Sequence, residues 1–195
     1  ASSLHADQVV ISEIMYHPSG EQPEYIELTN ITATPKDIVH WKLTDGVSYD
    51  FPGFNEGNAQ AAFLHAYEQI VIASVDPDTF RQAYGLPAAI RVLGPWEGQL
   101  SDAGERVTVK DKNKTVVSTV RYNDRGLWPV GADGAGHSLI MLDLEAGTDN
   151  WRNWRLSSTP NGSPGTPEIT QPEQPVGSPE VDLSVGVPIV QYGDD

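Results

Sequence analysis

The stretch from Val9 to Asn30 limits most severely what this chain can fold into. Its two runs, Val-Val-Ile-Ser-Glu-Ile-Met-Tyr and Glu-Tyr-Ile-Glu-Leu-Thr-Asn, are β-branched and aromatic and flank a loop of Pro, Gly and Ser. That pattern reads as a pair of strands. Alternation puts Val10, Ser12, Ile14 and Tyr16 on one face of the first and Val9, Ile11, Glu13 and Met15 on the other. A strand with apolar side chains on both faces is expected inside a sheet rather than at its edge. In the second run Glu24, Ile26 and Leu28 share one face, and Tyr25, Glu27 and Thr29 the other. Three carboxylates, Glu13, Glu24 and Glu27, therefore lie within or beside a hydrophobic strand pair, and they raise the first functional question.

The rest of the chain continues in short β segments. Asp37 to Leu43 places Val39, Trp41 and Leu43 on one face, Asp45-Gly46 supplies the positive φ of a tight turn, and Ser48 to Phe51 answers as a strand. Residues 54–60 read as a loop, and Gln69 to Ser74 restores the β pattern. One short helix is expected over Asp78 to Tyr84, with Asp76 as its cap, Pro77 in the first position and Gly85 closing it. Phe80 and Tyr84, four residues apart, would face the body together. Ile90 to Leu93, Glu105 to Lys110, Thr115 to Tyr122 and His137 to Asp143 complete eight or nine strands. Such a sequence specifies an all-β sandwich or barrel.

The composition changes at Ser157. From Thr159 to Pro179 prolines recur among Gly, Ser and Glu, the composition of an extended linker with little to bury. The expected organisation is a folded body over residues 8–166 and a Pro-rich acidic linker over 167–180. Residues 181–195 form an apolar segment that either begins a following module or adds an edge strand.

The formal charge is -15, from 27 acids against 12 bases, and six of the acids follow Pro167. So acidic a surface repels nucleic-acid phosphates and anionic membranes, which makes nucleic acid an unlikely partner on charge alone. No apolar run reaches about 18 residues, so no membrane insertion is expected. With no cysteine in the chain, disulfides, thiolate metal sites and Cys nucleophiles are excluded.

The order of these local patterns resembles the lamin tail domain. The likeness is carried by Ile11-Ser12-Glu13-Ile14-Met15-Tyr16-His17-Pro18, Glu24-Tyr25-Ile26-Glu27-Leu28-Thr29-Asn30, Trp41-Lys42-Leu43-Thr44-Asp45-Gly46 and Phe51-Pro52. Further along, Leu100-Ser101-Asp102-Ala103-Gly104-Glu105, Val120-Arg121-Tyr122, Trp128-Pro129, Asp133-Gly134-Ala135-Gly136-His137-Ser138-Leu139 and Gly162-Ser163-Pro164-Gly165 continue it. The resemblance implies an immunoglobulin-like β-sandwich. Met15-Tyr16-His17-Pro18 looks most like the bacterial branch, which implies an extracellular or cell-surface location and a multidomain parent. The implied function is a non-catalytic interaction or spacer module, whose partners are other domains of the parent or a surface protein. Leu64-His65-Ala66 departs from the Pro-Gly turn expected there.

Three readings compete for Glu13, Glu24 and Glu27: an acid/base pair, oxygen ligands for calcium, or acceptors for backbone amides and arginines that pin the first strands together. The structural role is the expected one, no cofactor is assigned, and calcium is the cation these groups would suit. Asp124, Asp133 and the glycines between Gly131 and Gly136 could mimic a phosphate loop, but no helix follows them, so turn chemistry is expected. The five histidines lie too far apart for zinc spacing. Neither Gly-x-Ser-x-Gly nor Ser-x-x-Lys occurs, and no catalytic residue is assigned. Trp151, Arg152, Trp154 and Arg155 form the sole aromatic and basic cluster and the candidate ligand surface. They would suit the sugar rings of a glycan or the bases of a nucleic acid in an accessory domain of a secreted enzyme. The same cluster would equally plug one end of a sandwich, its arginines paired with acids. Asn30, Asn113 and Asn161 open glycosylation triplets that matter only in a secretory pathway using them.

Overall fold

A computed structural model describes residues 8–53 and 63–168. The two leading runs form β1 (Val9–Met15) and β2 (Tyr25–Asn30), antiparallel and buried along their whole length. Beside them lie β7 (Gln69–Ala73), β8 (Val92–Leu93), β11 (Leu139–Met141) and β12 (Trp154–Leu156), in a six-stranded sheet of order β12-β11-β1-β2-β7-β8. β1 and β2 hold its centre, as their two-sided apolar pattern requires. All its pairings are antiparallel except β7 with β8, which are joined through α1 (Pro77–Tyr84).

The facing sheet has the order β10-β9-β4-β5, from β10 (Val116–Arg121), β9 (Arg106–Lys110), β4 (Lys42–Thr44) and β5 (Tyr49–Asp50). A small ladder of β3 (Lys36–Asp37) and β6 (Phe63–Leu64) stands apart. Ile11, Ile14, Ile26, Leu28, Ile70, Ile72 and Leu139 from the larger sheet pack against Leu43, Val107, Val109 and Val120 from the smaller. Each such side chain contributes about 1.5–3 kcal/mol by leaving water. The all-β sandwich with one short helix is thus observed.

A β-bulge in β1 corrects the expected faces. The register shifts between Ile11 and Glu13: Ile11 stands opposite Leu28, whereas Glu13 stands opposite Glu27. The extra residue, Ser12, reverses the phase of alternation. Val9, Ile11, Ile14 and Tyr16 therefore share the inner core, where strict alternation would have split them. Ser12, Glu13 and Met15 fall to the outer face.

Asp37 to Leu43 is divided between β3 and β4, not continuous. Asp37 accepts from the Val39 amide at 3.0 Å, the Trp41 amide donates to the Ile38 carbonyl at 3.2 Å, and His40 takes a φ of 57°. This local hydrogen bonding competes with the extended chain and wins. Asp45 and Gly46 do adopt positive φ, 59° and 70°. Residues 54–60 and 181–195 fall outside the described residues, as does most of the expected linker. Among the described residues no helix is long and apolar enough to cross a membrane.

The helix forms where its caps place it. Asp76 accepts from the amides of Asp78 at 3.0 Å and Thr79 at 3.3 Å, and Gly85 ends the helix at φ 63°. Phe80 stacks on Tyr84 at 4.4 Å and meets Tyr25 edge-on at 5.6 Å, which covers part of the large sheet's outer face. Asp76→Ala is expected to cost about 1 kcal/mol and to lower the melting temperature by about 2–4 °C in a calorimetric scan.

Candidate functional site

The part of the outer face that α1 leaves uncovered holds the two carboxylates opposite each other, Glu13 and Glu27. They are 2 % and 1 % exposed. Residues 159–168, a strap of Pro, Gly and Ser, lie across them. Glu13 Oε1 accepts from the Tyr25 hydroxyl at 2.6 Å and the Ser163 amide at 3.0 Å, and also from the Ser138 hydroxyl. Its Oε2 accepts from Ser163 Oγ at 3.3 Å. Glu27 accepts from Ser12 Oγ at 2.6 Å, Gln69 Nε2 at 2.9 Å and the Gly165 amide at 2.8 Å. The strap thus hangs from the sheet by backbone amides donated to two buried acids.

Burial pushes both carboxyls above the usual carboxylate range, and the charge of Glu13 raises Glu27 further. The surrounding N–H and O–H donors pull the other way, but desolvation outweighs them. Tyr25 is raised as well, first by its own burial and then by the Glu13 charge.

A cavity of about 200 Å³ adjoins the pair. It is smaller than the roughly 300–1,000 Å³ typical of small-molecule sites. The carboxylate oxygens are turned to donors, and a calcium ion would need them turned away. Among the described residues no group of three or more His, Asp and Glu is placed to hold a metal ion. What this arrangement does is fasten: it joins the far end of the chain to its first two strands.

Glu24 belongs to a different place. Its carboxylate accepts from the Leu100 amide at 3.1 Å, and burial, with Asp102 and Glu105 nearby, pushes it up to about 7. The three acids that sequence brought together are therefore two sites, one on the sheet and one at a loop end.

The tryptophan and arginine cluster does not form one surface. Trp154 is 4 % exposed, donates from Nε1 to the Thr148 carbonyl at 2.8 Å and lies 6.2 Å from the Trp128 ring. Arg155 pairs with Glu168 at 2.5 Å. Arg152 sits 4.4 Å from the centre of the half-exposed Trp151 ring. The plug, with an arginine paired to an acid, describes Trp154 and Arg155. Glu168 also accepts from the Ser158 amide at 2.6 Å, so Pro167 and Glu168 are part of the body and residues 159–168 are bound chain.

Asp133 accepts from or pairs with His17 Nδ1 at 2.9 Å, which brings the glycine-rich loop onto the β1–β2 connection. Asn30 is fully buried, its amide donating to the carbonyls of Thr34, Leu64 and His65, so it presents no acceptor for glycosylation. Those same bonds seat the Leu64-His65-Ala66 turn that departs from the expected Pro-Gly. The residues missed from sequence are Ser138, Gly162 and Ser163. Gly162-Ser163-Pro164-Gly165 stood out as a motif, but nothing in it announced that Glu13 would be its partner 150 positions away.

A family model described as the Lamin Tail Domain matches residues 3–124. No curated protein sequence matches the chain. The match spans β1 to β10, more than half of the sequence, and stops before β11, β12 and the strap. On that match and this sandwich, the chain belongs to the lamin tail domain family, a family of non-enzymatic immunoglobulin-like domains.

Proposed function

We propose that this chain is a non-catalytic interaction or spacer module of a larger secreted or cell-surface protein. One observation carries the reading: Glu13 and Glu27, the carboxylates best placed for chemistry, are enclosed and committed to holding the strap. A general acid or base must reach a substrate within about 2.6–3.2 Å, and these two reach only the protein's own donors. Family membership supports the non-catalytic role, and the Met15-Tyr16-His17-Pro18 motif supports the exterior location.

The test is a panel of esterase, glycosidase, phosphatase and nuclease substrates. Turnover is expected to stay at the blank rate. Activity that disappears in Glu27→Gln while the circular dichroism spectrum is retained would overturn the reading.

A further inference from the structure

We propose that the cleft between the loop after β1 and residues 98–102 receives an arginine side chain of a partner polypeptide. The proposal rests on the interaction-module reading and names the chemistry of its partner.

The cleft has a volume of about 510 Å³ and lies where the β1–β2 connection meets the loop before β9. Glu24 forms one wall and Asp102 another, and His17, held by Asp133 at 2.9 Å and 3.8 Å from Asp102, closes the rim. Acids alone would mark only a solvated patch. Here, however, two buried oxygens of the lining have no hydrogen-bond partner: the Tyr16 hydroxyl and Gln22 Oε1. Tyr16 is 0 % exposed and lines the cleft with Gln22, and its hydroxyl lies in the field of Asp133, Asp124 and Asp102. Its ring is fixed by Tyr122, centroids 4.7 Å apart, so the hydroxyl cannot swing away to find a partner.

An unmet buried oxygen is costly, and one of the two, Gln22 Oε1, can only accept. What the cleft lacks is therefore a donor, and its acids ask that the donor be cationic. No lysine or arginine of the chain supplies one. All 12 Lys and Arg residues lie within the described residues and none lines the cleft; residues 1–7, 54–62 and 169–195 contain neither type. A bare metal ion does not suit the place, since no three His, Asp or Glu among the described residues converge on one point. The volume suits a side chain with its neighbours. A guanidinium, with five N–H donors in a rigid fork, can serve several separated acceptors at once, whereas an ammonium is a point charge. Pro18 and Pro23 offer apolar surface for the arginine stem.

The experiment is a titration of the 15N-labelled full chain, in 150 mM NaCl, with acetyl-Gly-Arg-Gly-amide and with its citrulline and lysine counterparts. The arginine peptide is expected to shift the amides of Gly20, Gln22, Gly98 and Gln99 with a dissociation constant on the order of 1 mM, and the neutral citrulline peptide to bind about tenfold more weakly. Asp102→Asn and Tyr16→Phe should each weaken binding at least about threefold. Tyr16→Phe should also leave the melting temperature unchanged or higher, because it removes an unpaired hydroxyl. Absence of shifts at those amides, equal binding of citrulline or lysine, or diffuse shifts indifferent to Tyr16→Phe would each overturn the proposal. Such a failure leaves the module reading standing, which only turnover in the substrate panel defeats.

Discussion

Gly162→Ala is expected to destabilise the protein by about 3 kcal/mol or more, read as a lower denaturant midpoint with an unchanged slope. Two independent effects add at this position. Gly162 has a φ of 73°, a conformation that costs a residue with a Cβ about 1 kcal/mol. The added carbon would also collide with the Tyr25 hydroxyl and Glu13 Oε1, and would stand 2.8 Å from Ser138 Oγ. Those three groups are the buried cluster itself, so relief requires lifting the strap. Lifting it removes the Ser163 amide from Glu13, and a buried carboxylate that loses a donor is costly. Gly147→Ala separates the two effects. Its φ is 83° and nothing lies within 4 Å of the new carbon, so only the backbone cost of about 1 kcal/mol applies. Equal losses in the two variants would show that the strap carries no weight. The same logic predicts that a chain ending after Ser158 is less stable than one ending after Glu168.

Most of the sandwich was legible because its strands obey local rules. Alternation in β2 and β7, the Asp45-Gly46 turn and the Asp76, Pro77 and Gly85 signals around α1 each depend on residues within a few positions of one another. The failures were of two physical kinds. In β1 a single bulged residue, Ser12, changed the phase, and neither Gly nor Pro stands beside it to mark the bulge. In Asp37 to Leu43 an Asp side chain offered the backbone an alternative partner, and the strand broke.

The candidate site was legible only in half. That Glu13 and Glu27 would be satisfied acceptors follows from the cost of burying a charge. Which donors would satisfy them does not, because Ser138, Ser163 and Gly165 reach them across separations of 125 to 150 residues. Composition is silent on the same point. A run of Pro, Gly and Ser that suits a free linker also suits a strap, since such a strap makes its energy from backbone amides and a close approach rather than from apolar side chains.

Stability is expected to fall as the pH rises from about 5 to about 8. The sign follows from the direction of the shifts. Glu13, Glu24 and Glu27 all have folded-state values above their ordinary 4.5, chiefly because burial disfavours the charged form. Between the two values the folded protein binds more protons than the unfolded chain, so the contribution is complete below about 4.5 and is lost as the pH climbs through the folded value. For Glu24 that value is about 7, and at roughly 1.4 kcal/mol per unit its share is at most about 3.5 kcal/mol. The enclosed pair extends the loss upward. Relief of self-repulsion in so acidic a chain would also favour lower pH, but it is spread over many groups and one substitution barely alters it. Denaturation of the wild type, Glu24→Gln and Glu13→Gln/Glu27→Gln at pH 5.5 and pH 8 tells the two apart. Each variant should flatten the dependence by removing its own titration, Glu24→Gln between pH 5 and 7 and the double variant across the whole range. Parallel curves for all three proteins would assign the pH dependence to net charge and leave the buried carboxyls with no part in it.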